Sequence, residues 1–528
     1  MTSNKPSKIF WFLPSIAEVI FIVILAIILS GSGKGNLLGD ADTGYHIRAG
    51  EYIIANLAVP HYDIFSYISP PLAWTAHEWL SEVIFALIHK AFGLSGVVVV
   101  MALIIALVYA ILLRYLKASG ISIIVAAFIV ALATGASVIH WLARPHIFSL
   151  LITLIWYIIL DTYQYKQKNY LFLLPPIMLL WVNLHGGFIA GFLLLGVYIT
   201  GNTLMAIFQR ENLQDKFGKV KTLSLFFFVC LLITLLNPQG YEILLFPFKV
   251  ISNEFIMNNV SEFLSPNFHE NLRYEYMLLL MILVFGISML RLNVIEIMLV
   301  LLFTHMSLYS ARYIPLYAIM LGPILAKQID NLLKGSKDNR FMKRILALSD
   351  RTAKTDSMTK FNLCATATVV VLAFMVVTGR LSYEFDRKKL PVDSVQFIQK
   401  EKIPGNMFNN DEFGDYIIYA AWPEYKVFFD GRSDMYGEKI GNEYLKVTQI
   451  KSGWEDVLKK YNVNWIIFHT RSALSSLLLE RDDWKLIYSD KVANIFVKKI
   501  PENQYLIEKY PDVNPVIVED DDEKKDEK

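Results

Sequence analysis

The sequence predicts an α-helical polytopic membrane protein of about eleven spans that carries a C-terminal α/β domain. Three observations carry that expectation. The 528 residues are 55% hydrophobic with a mean hydropathy of +0.42, too apolar for a soluble globular chain. Apolar runs of near-spanning length recur from Phe10 to Thr378. From about Tyr383 to Lys499 the pattern changes to short apolar strands separated by helical and turn segments.

Taken in order, Lys5 and Lys8 precede an apolar run to Ser30, the charge order of a secretory signal on a run long enough to span. It reads as an uncleaved signal anchor with a cytoplasmic N-terminus. Candidate spans follow at Trp11–Ser30, Gly96–Leu113, Ile121–Ile139, Ile147–Leu160, Tyr170–Val182, Phe188–Phe208, Leu223–Leu236, Tyr276–Leu290, Val294–Tyr309, Tyr313–Ala326 and Phe361–Thr378. Trp79–Phe92 is short and interrupted by Glu82, His89 and Lys90. Laid flat at the interface, it lets Arg114 with Lys117, Lys166 with Lys168, the loop to Lys221, Arg291 and the Lys327–Lys360 loop join Lys5 and Lys8 on the cytoplasmic side.

That orientation gathers HWLARPH (His140–His146), WVNLHGG (Trp181–Gly187), NPQGYE (Asn237–Glu242) and SARY (Ser310–Tyr313) on the outer face, together with the first loop. The expected organisation is a transmembrane domain over 1–380 with a large first outer loop at 31–95, then an extracytoplasmic α/β domain at 381–500. A charged, disordered tail at 501–528 closes the chain. Strands are expected at Gly405–Phe408, Lys426–Phe429, Trp465–Phe468, Trp484–Tyr488 and Ala493–Val497, and helices at Val392–Lys400 and Ser452–Lys460. No internal repeat and no Gly-rich phosphate loop is present. Cys230 and Cys364 lie in apolar runs and predict neither a disulfide framework nor a thiolate metal site. A net charge of +2 gives no reason to expect nucleic acid as a partner.

Chemistry is expected in the first loop, where Asp40 and Asp42 of GDADTGYH follow the anchor, because ionisable groups beside a bilayer are costly without a role. With a helix starting near Thr43, both acids would precede it and point the same way, although a lone Asp there would simply cap the helix. His46, four residues on, would share a helix face with Asp42 and could share a proton or a divalent cation with it, a weak metal signal. His77 and Glu78 sit among Trp74, Thr75 and Trp79, either an interfacial anchor or a shelf on which a sugar stacks. Arg144, with His146, and Arg312 are cations at outer helix ends, planar donor forks suited to a lipid phosphate. Asn183 and His185 flank a turn made by Gly186 and Gly187 and rank second as site residues. FFDGRSDMYG (Phe428–Gly437) follows an expected strand and reads as turn chemistry or an acceptor contact.

This layout resembles the GT-C superfamily of membrane glycosyltransferases, which includes protein O-mannosyltransferases, lipid A aminoarabinose transferases and oligosaccharyltransferases. The resemblance rests on the acidic motif in the first outer loop, the interfacial helix, the many spans and the outward C-terminal domain. The segments GDADTGYHIRAG, PHYDIFSY, WTAHEWLSE, WLARPHIFS, WVNLHGG and FDGRSDMYG look like those of a bacterial GT-C family. It implies transfer of a sugar from a polyprenyl-phosphate donor to a lipid, glycan or protein acceptor at the outer face of the cytoplasmic membrane. Asp42 or Asp40 would be the base. Ala41 separates two acids that are adjacent in the mannosyltransferases, which leaves the choice between them open, and the WWD-type motif of oligosaccharyltransferases is absent. The competing readings are a flippase for a lipid-linked saccharide, which would place charges near the bilayer midplane in pseudo-symmetric halves, and an envelope-polymer binding protein without catalysis.

Overall fold

The computed structural model describes residues 12–30, 37–208, 212–270, 272–336, 339–359 and 362–517. They divide into two units. The first holds the described residues up to Leu37, then Ile88–Pro247 and Asn258–Tyr383; the second holds Leu38–Leu87, Phe248–Met257 and the residues from Glu384 onward. The first loop, expected with the transmembrane domain, is therefore packed in one unit with the C-terminal residues.

The first unit is helical throughout, and each of the eleven expected spans coincides with a helix. Among the described residues five helical runs are long and apolar enough to cross a membrane: Trp79–Ala118, Ile123–His140, His146–Lys166, Gly186–Phe208 and Leu213–Thr234. Ile16–Leu29, Leu171–Leu184, Val294–Tyr309 and Leu363–Val377 are shorter apolar helices. A bilayer forces this choice, since a helix satisfies its backbone groups within one segment. Ends are fixed by polar residues: Ser15 and Glu18 form a capping box at Ile16, and Asn293 with Glu296 does the same at Val294.

Trp79–Phe92 is helical but stops at Gly93, whose φ of 65° and ψ of −166° suit only glycine, before the run resumes towards Ala118. Fourteen residues are too few for a perpendicular span, which needs ~20. The break thus isolates the segment that the charge pattern set apart.

In the second unit a four-stranded sheet has strands β1 (Asn406–Asn409), β2 (Val463–His469), β3 (Trp484–Ser489) and β4 (Ala493–Lys498) in the order β1-β2-β4-β3. β1 runs parallel to β2, and β4 is antiparallel to both β2 and β3. Helices Val392–Glu401 and Trp454–Lys460 lie where expected, joined by Asp411–Ala421, Ser433–Thr448 and Ala473–Leu479. Lys426–Phe429 is not a strand. Its Phe428 N–H and Phe429 carbonyl are taken by the Asn409 side-chain amide at 2.8 and 2.7 Å, and only Val427 makes a single bridge, to Ser66. The tail also begins later than expected: Gln504–Lys509 is helical and Leu506 is fully buried. The charged stretch Glu519–Lys528 lies outside the described residues.

The helix Asp42–Asn56 packs on the start of Trp79–Phe92 at Gly50, where a Cβ would stand 1.9 Å from the Glu82 carbonyl oxygen and 2.8 Å from the Ala86 Cβ. Gly50→Ala is expected to cost about 1–3 kcal/mol, the usual penalty of overpacking, seen as a lower unfolding temperature of the purified protein in detergent.

Candidate functional site

Two groups of chemistry-bearing residues form, one in each unit. In the second unit Asp42 is the first residue of its helix and Ala41 holds the cap position. This corrects the expectation that both acids precede the helix side by side. The Asp40 carboxylate accepts the Asp42 backbone N–H at 3.2 Å, so Asp40 does the capping work. Asp42 is half-buried at a helix N-terminus, where a negative charge is favoured.

Its side chain meets Asp415, a residue of Asp411–Ala421 that sequence reasoning did not single out. The two carboxyls share a hydrogen bond. Gly431 marks the spot: its N–H donates to both Asp415 oxygens at 3.0 and 3.1 Å, and a Cβ there would stand 2.8 Å from Asp42 Oδ1. Burial, then the neighbouring Asp42 and Asp430, pushes the Asp415 carboxyl well above the ordinary carboxylate range. Two carboxyls in hydrogen-bond contact need a proton between them, since two carboxylates can only accept.

His46 is 1% exposed, with Nε2 3.6 Å from Glu78 and Nδ1 3.5 Å from Glu82. His46 lies four residues after Asp42 in the same helix, as expected, and its buried imidazole stands between two acids of the Trp79 region. His77 Nε2 is 3.6 Å from Glu78, and its Nδ1 lies 3.1 Å from the Thr75 carbonyl. Trp74 cannot serve as a stacking shelf, because it is 4% exposed and the Arg432 guanidinium covers its ring at 4.6 Å.

Arg432 explains FFDGRSDMYG. It is 2% exposed, holds Asp430 through Nε at 2.8 Å and Nη2 at 2.7 Å, reaches Asp63 at 2.9 Å, and stacks on Phe65 as well as Trp74. Asp63 itself accepts the Phe65 and Ser66 N–H groups, and Tyr436 donates to Asp430 at 2.7 Å. The motif is the lock of the unit, in keeping with a turn rather than an acceptor contact.

In the first unit Arg144, His146, His185 and Arg312 come together, joined by His140 and Glu262. Glu262 was not anticipated; its carboxylate lies 3.4 Å from Arg312, 3.7 Å from Arg144 and 3.8 Å from His140. Burial alone would raise its carboxyl, but the cationic neighbours, Arg312 foremost, pull it down to about 2. His146 Nε2 lies 2.9 Å from the His140 carbonyl, and its ring is 6.5 Å from that of His185. His185 Nδ1 accepts from the Gly187 N–H at 2.9 Å and the Ser149 hydroxyl at 2.8 Å, while Trp181 donates to Ser149 at 2.7 Å. Two donors on Nδ1 place the ring proton on Nε2, making His185 a donor on its other edge. Asn183 instead ties helices: it donates to Leu179 and accepts from Asn237 at 3.2 Å.

Among the described residues no group of three or more His, Cys, Asp or Glu is arranged to hold a metal ion, so the divalent cation left open by the sequence finds no ready cage there.

The apolar helices are those of a helical membrane protein, and the fold is shared with solved structures. The likeness is to the archaeal oligosaccharyltransferase AglB from Archaeoglobus fulgidus, solved in complex with an inhibitory peptide and a dolichol-phosphate, with a TM-score of 0.55 at 13% identity over 86% of this chain and 69% of that one. The apo crystal structure of the Archaeoglobus fulgidus oligosaccharyltransferase gives 0.52 at 12% identity, over 92% and 74%. At such identity the fold is what is shared. No protein-family model and no curated sequence matches the chain.

Proposed function

We propose that the chain is a membrane glycosyltransferase that moves a sugar from a polyprenyl-phosphate-linked donor to an acceptor hydroxyl at the outer face of the cytoplasmic membrane. The observation that supports this most is the gathering of Arg144, Arg312, His146 and His185 from separate segments into one cationic group. AglB, which has this fold, was solved with a dolichol-phosphate, the kind of ligand such a group would take.

In this reading Asp42 removes the acceptor hydroxyl proton as the oxygen attacks the anomeric carbon. The bond from that carbon to the phosphate oxygen breaks, and the electron pair leaves with the phosphate. Arg144 and Arg312 meet the charge that develops there, and His146 and His185 add ring donors. Asp40 holds the helix start, and the buried His46 braces that helix between Glu78 and Glu82, with His77 beside Glu78. The lipid, glycan or protein nature of the acceptor is the open variable, and the missing WWD-type motif sets the chain apart from peptide-amide glycosylation.

The test is incubation of the reconstituted protein with a radiolabelled polyprenyl-phosphate sugar and membrane glycolipids. Protein-dependent release of polyprenyl phosphate with label in the acceptor is expected; donor carried across the bilayer with its sugar–phosphate bond intact would overturn the reading in favour of a flippase.

The shared proton adds a pH signature. Because the Asp42–Asp415 pair must lose its proton to act as base, the rate is expected to fall on acidification at a pH above the ordinary carboxylate range. Asp415→Asn removes one titrating partner and is expected to move that acid limb to lower pH. A pH–rate profile identical to wild type would separate Asp415 from the chemistry.

A further inference from the structure

We infer that Glu262 sets the charge of the phosphate group's site, matching it to a glycosyl phosphodiester and against the monophosphate left after transfer. This rests on the glycosyltransfer reading above and adds a specificity-determining residue to it.

Glu262 sits in the short turn Ser261–Phe263, held from two sides: Ser310 Oγ donates to the Glu262 carbonyl at 3.0 Å, and the Ala311 N–H donates to Leu264 O at 2.9 Å. The same turn supplies Phe263, over which the Arg312 guanidinium lies at 4.3 Å. The carboxylate is thereby fixed beside both guanidiniums instead of reaching them from a mobile loop. Its separations of 3.4, 3.7 and 3.8 Å from Arg312, Arg144 and His140 are those of one shared counter-charge, not of a closed bidentate pair. All three charged side chains keep a fifth to a quarter of their surface exposed, so a ligand can reach them.

At pH 8, above the ordinary imidazole range, these two guanidiniums and one carboxylate carry one net positive charge between them. A polyprenyl glycosyl phosphodiester carries one negative charge. Breaking the sugar–oxygen bond leaves the electron pair on phosphate, and the resulting monophosphate carries about −1.5 to −2 at pH 7. A site of net +1 balances the donor and leaves the product with excess charge facing Glu262, which favours release. With Glu262 neutral, the site would carry +2 and suit the product instead.

The experiment compares binding of a polyprenyl monophosphate and a polyprenyl glycosyl phosphodiester of equal chain length to the full-length protein in nanodiscs at pH 8. Glu262→Gln is expected to tighten the monophosphate by about tenfold and the phosphodiester by only about twofold. Glu262→Asp retains the charge and is expected to keep the wild-type ratio. Equal changes for both lipids, or loss of both in Glu262→Gln while Glu262→Asp binds normally, would overturn the assignment. If the wild type binds neither lipid, the glycosyltransfer reading itself falls; if it binds both and the ratio does not depend on residue 262, only the role of Glu262 falls.

Discussion

Asp42→Asn is expected to abolish sugar transfer almost completely, with kcat down by about 10²–10⁴-fold, the span that loss of a positioned general base produces. The substitution is nearly isosteric and keeps a side chain able to accept a hydrogen bond from Asp415, so donor binding is expected to change little. Asp40→Asn makes the internal control. The Asp40 carboxylate accepts the Asp42 backbone N–H, and an asparagine oxygen accepts the same bond, so the activity of this variant is expected to stay within about tenfold of wild type. Initial rates with a radiolabelled lipid-linked donor separate the two variants. Equal and severe loss in both would mean that the acids act as a unit, and full activity in Asp42→Asn would remove the residue from the chemistry. The two variants decide between the acids that Ala41 separates in GDADTG, of which Asp42 shares a hydrogen bond with the buried Asp415.

What the sequence allowed and what it withheld divide along a physical line. Hydropathy is local, so each expected span fell on a helix, and a break at Gly93 separates Trp79–Phe92 from the span that follows. Arg144, His146, His185 and Arg312 were readable because a cation or imidazole at a helix end is conspicuous against an apolar background. Asp415 was not, since it lies within an ordinary amphipathic helix and gains meaning only from the Asp42 carboxyl brought against it by the fold. Glu262 likewise sits in a loop with no motif, and no spacing rule connects it to two arginines in other segments. Lys426–Phe429 was misread for the opposite reason: its residues favour a strand, but the Asn409 amide takes the backbone groups that a neighbouring strand would need. Trp74 and His77 stand three residues apart in one loop, yet one is roofed by Arg432 and the other stays partly open.

Arg432→Met is expected to destabilise the second unit by about 3–5 kcal/mol, the cost of leaving buried carboxylates without their cation. Methionine fills much the same space and can still pack on Phe65 and Trp74, so the loss isolates charge from volume. Asp430 is fully buried and Asp63 nearly so, and Arg432 is the cation that both share. The pH dependence provides the second measurement. Burial works to raise the Asp63 carboxyl, but Arg432 and the hydrogen bonds from Ser66 and Phe65 hold it below its ordinary value. A carboxylate with a lowered folded value stabilises above its unfolded pKa of about 4 and loses that contribution as pH falls through the lowered value. Without Arg432 the effect of burial prevails, the folded value rises, and the sign reverses: the variant is expected to gain stability on acidification towards pH 5 while the wild type does not. Hydrogen exchange at the amides of β1 and β2, followed at pH 5 and pH 8, reads both the loss and its reversal. Protection that is equal in variant and wild type at pH 8 would show that the two carboxylates draw their stabilisation from elsewhere, and the lock would then lie in the Tyr436 and backbone hydrogen bonds alone.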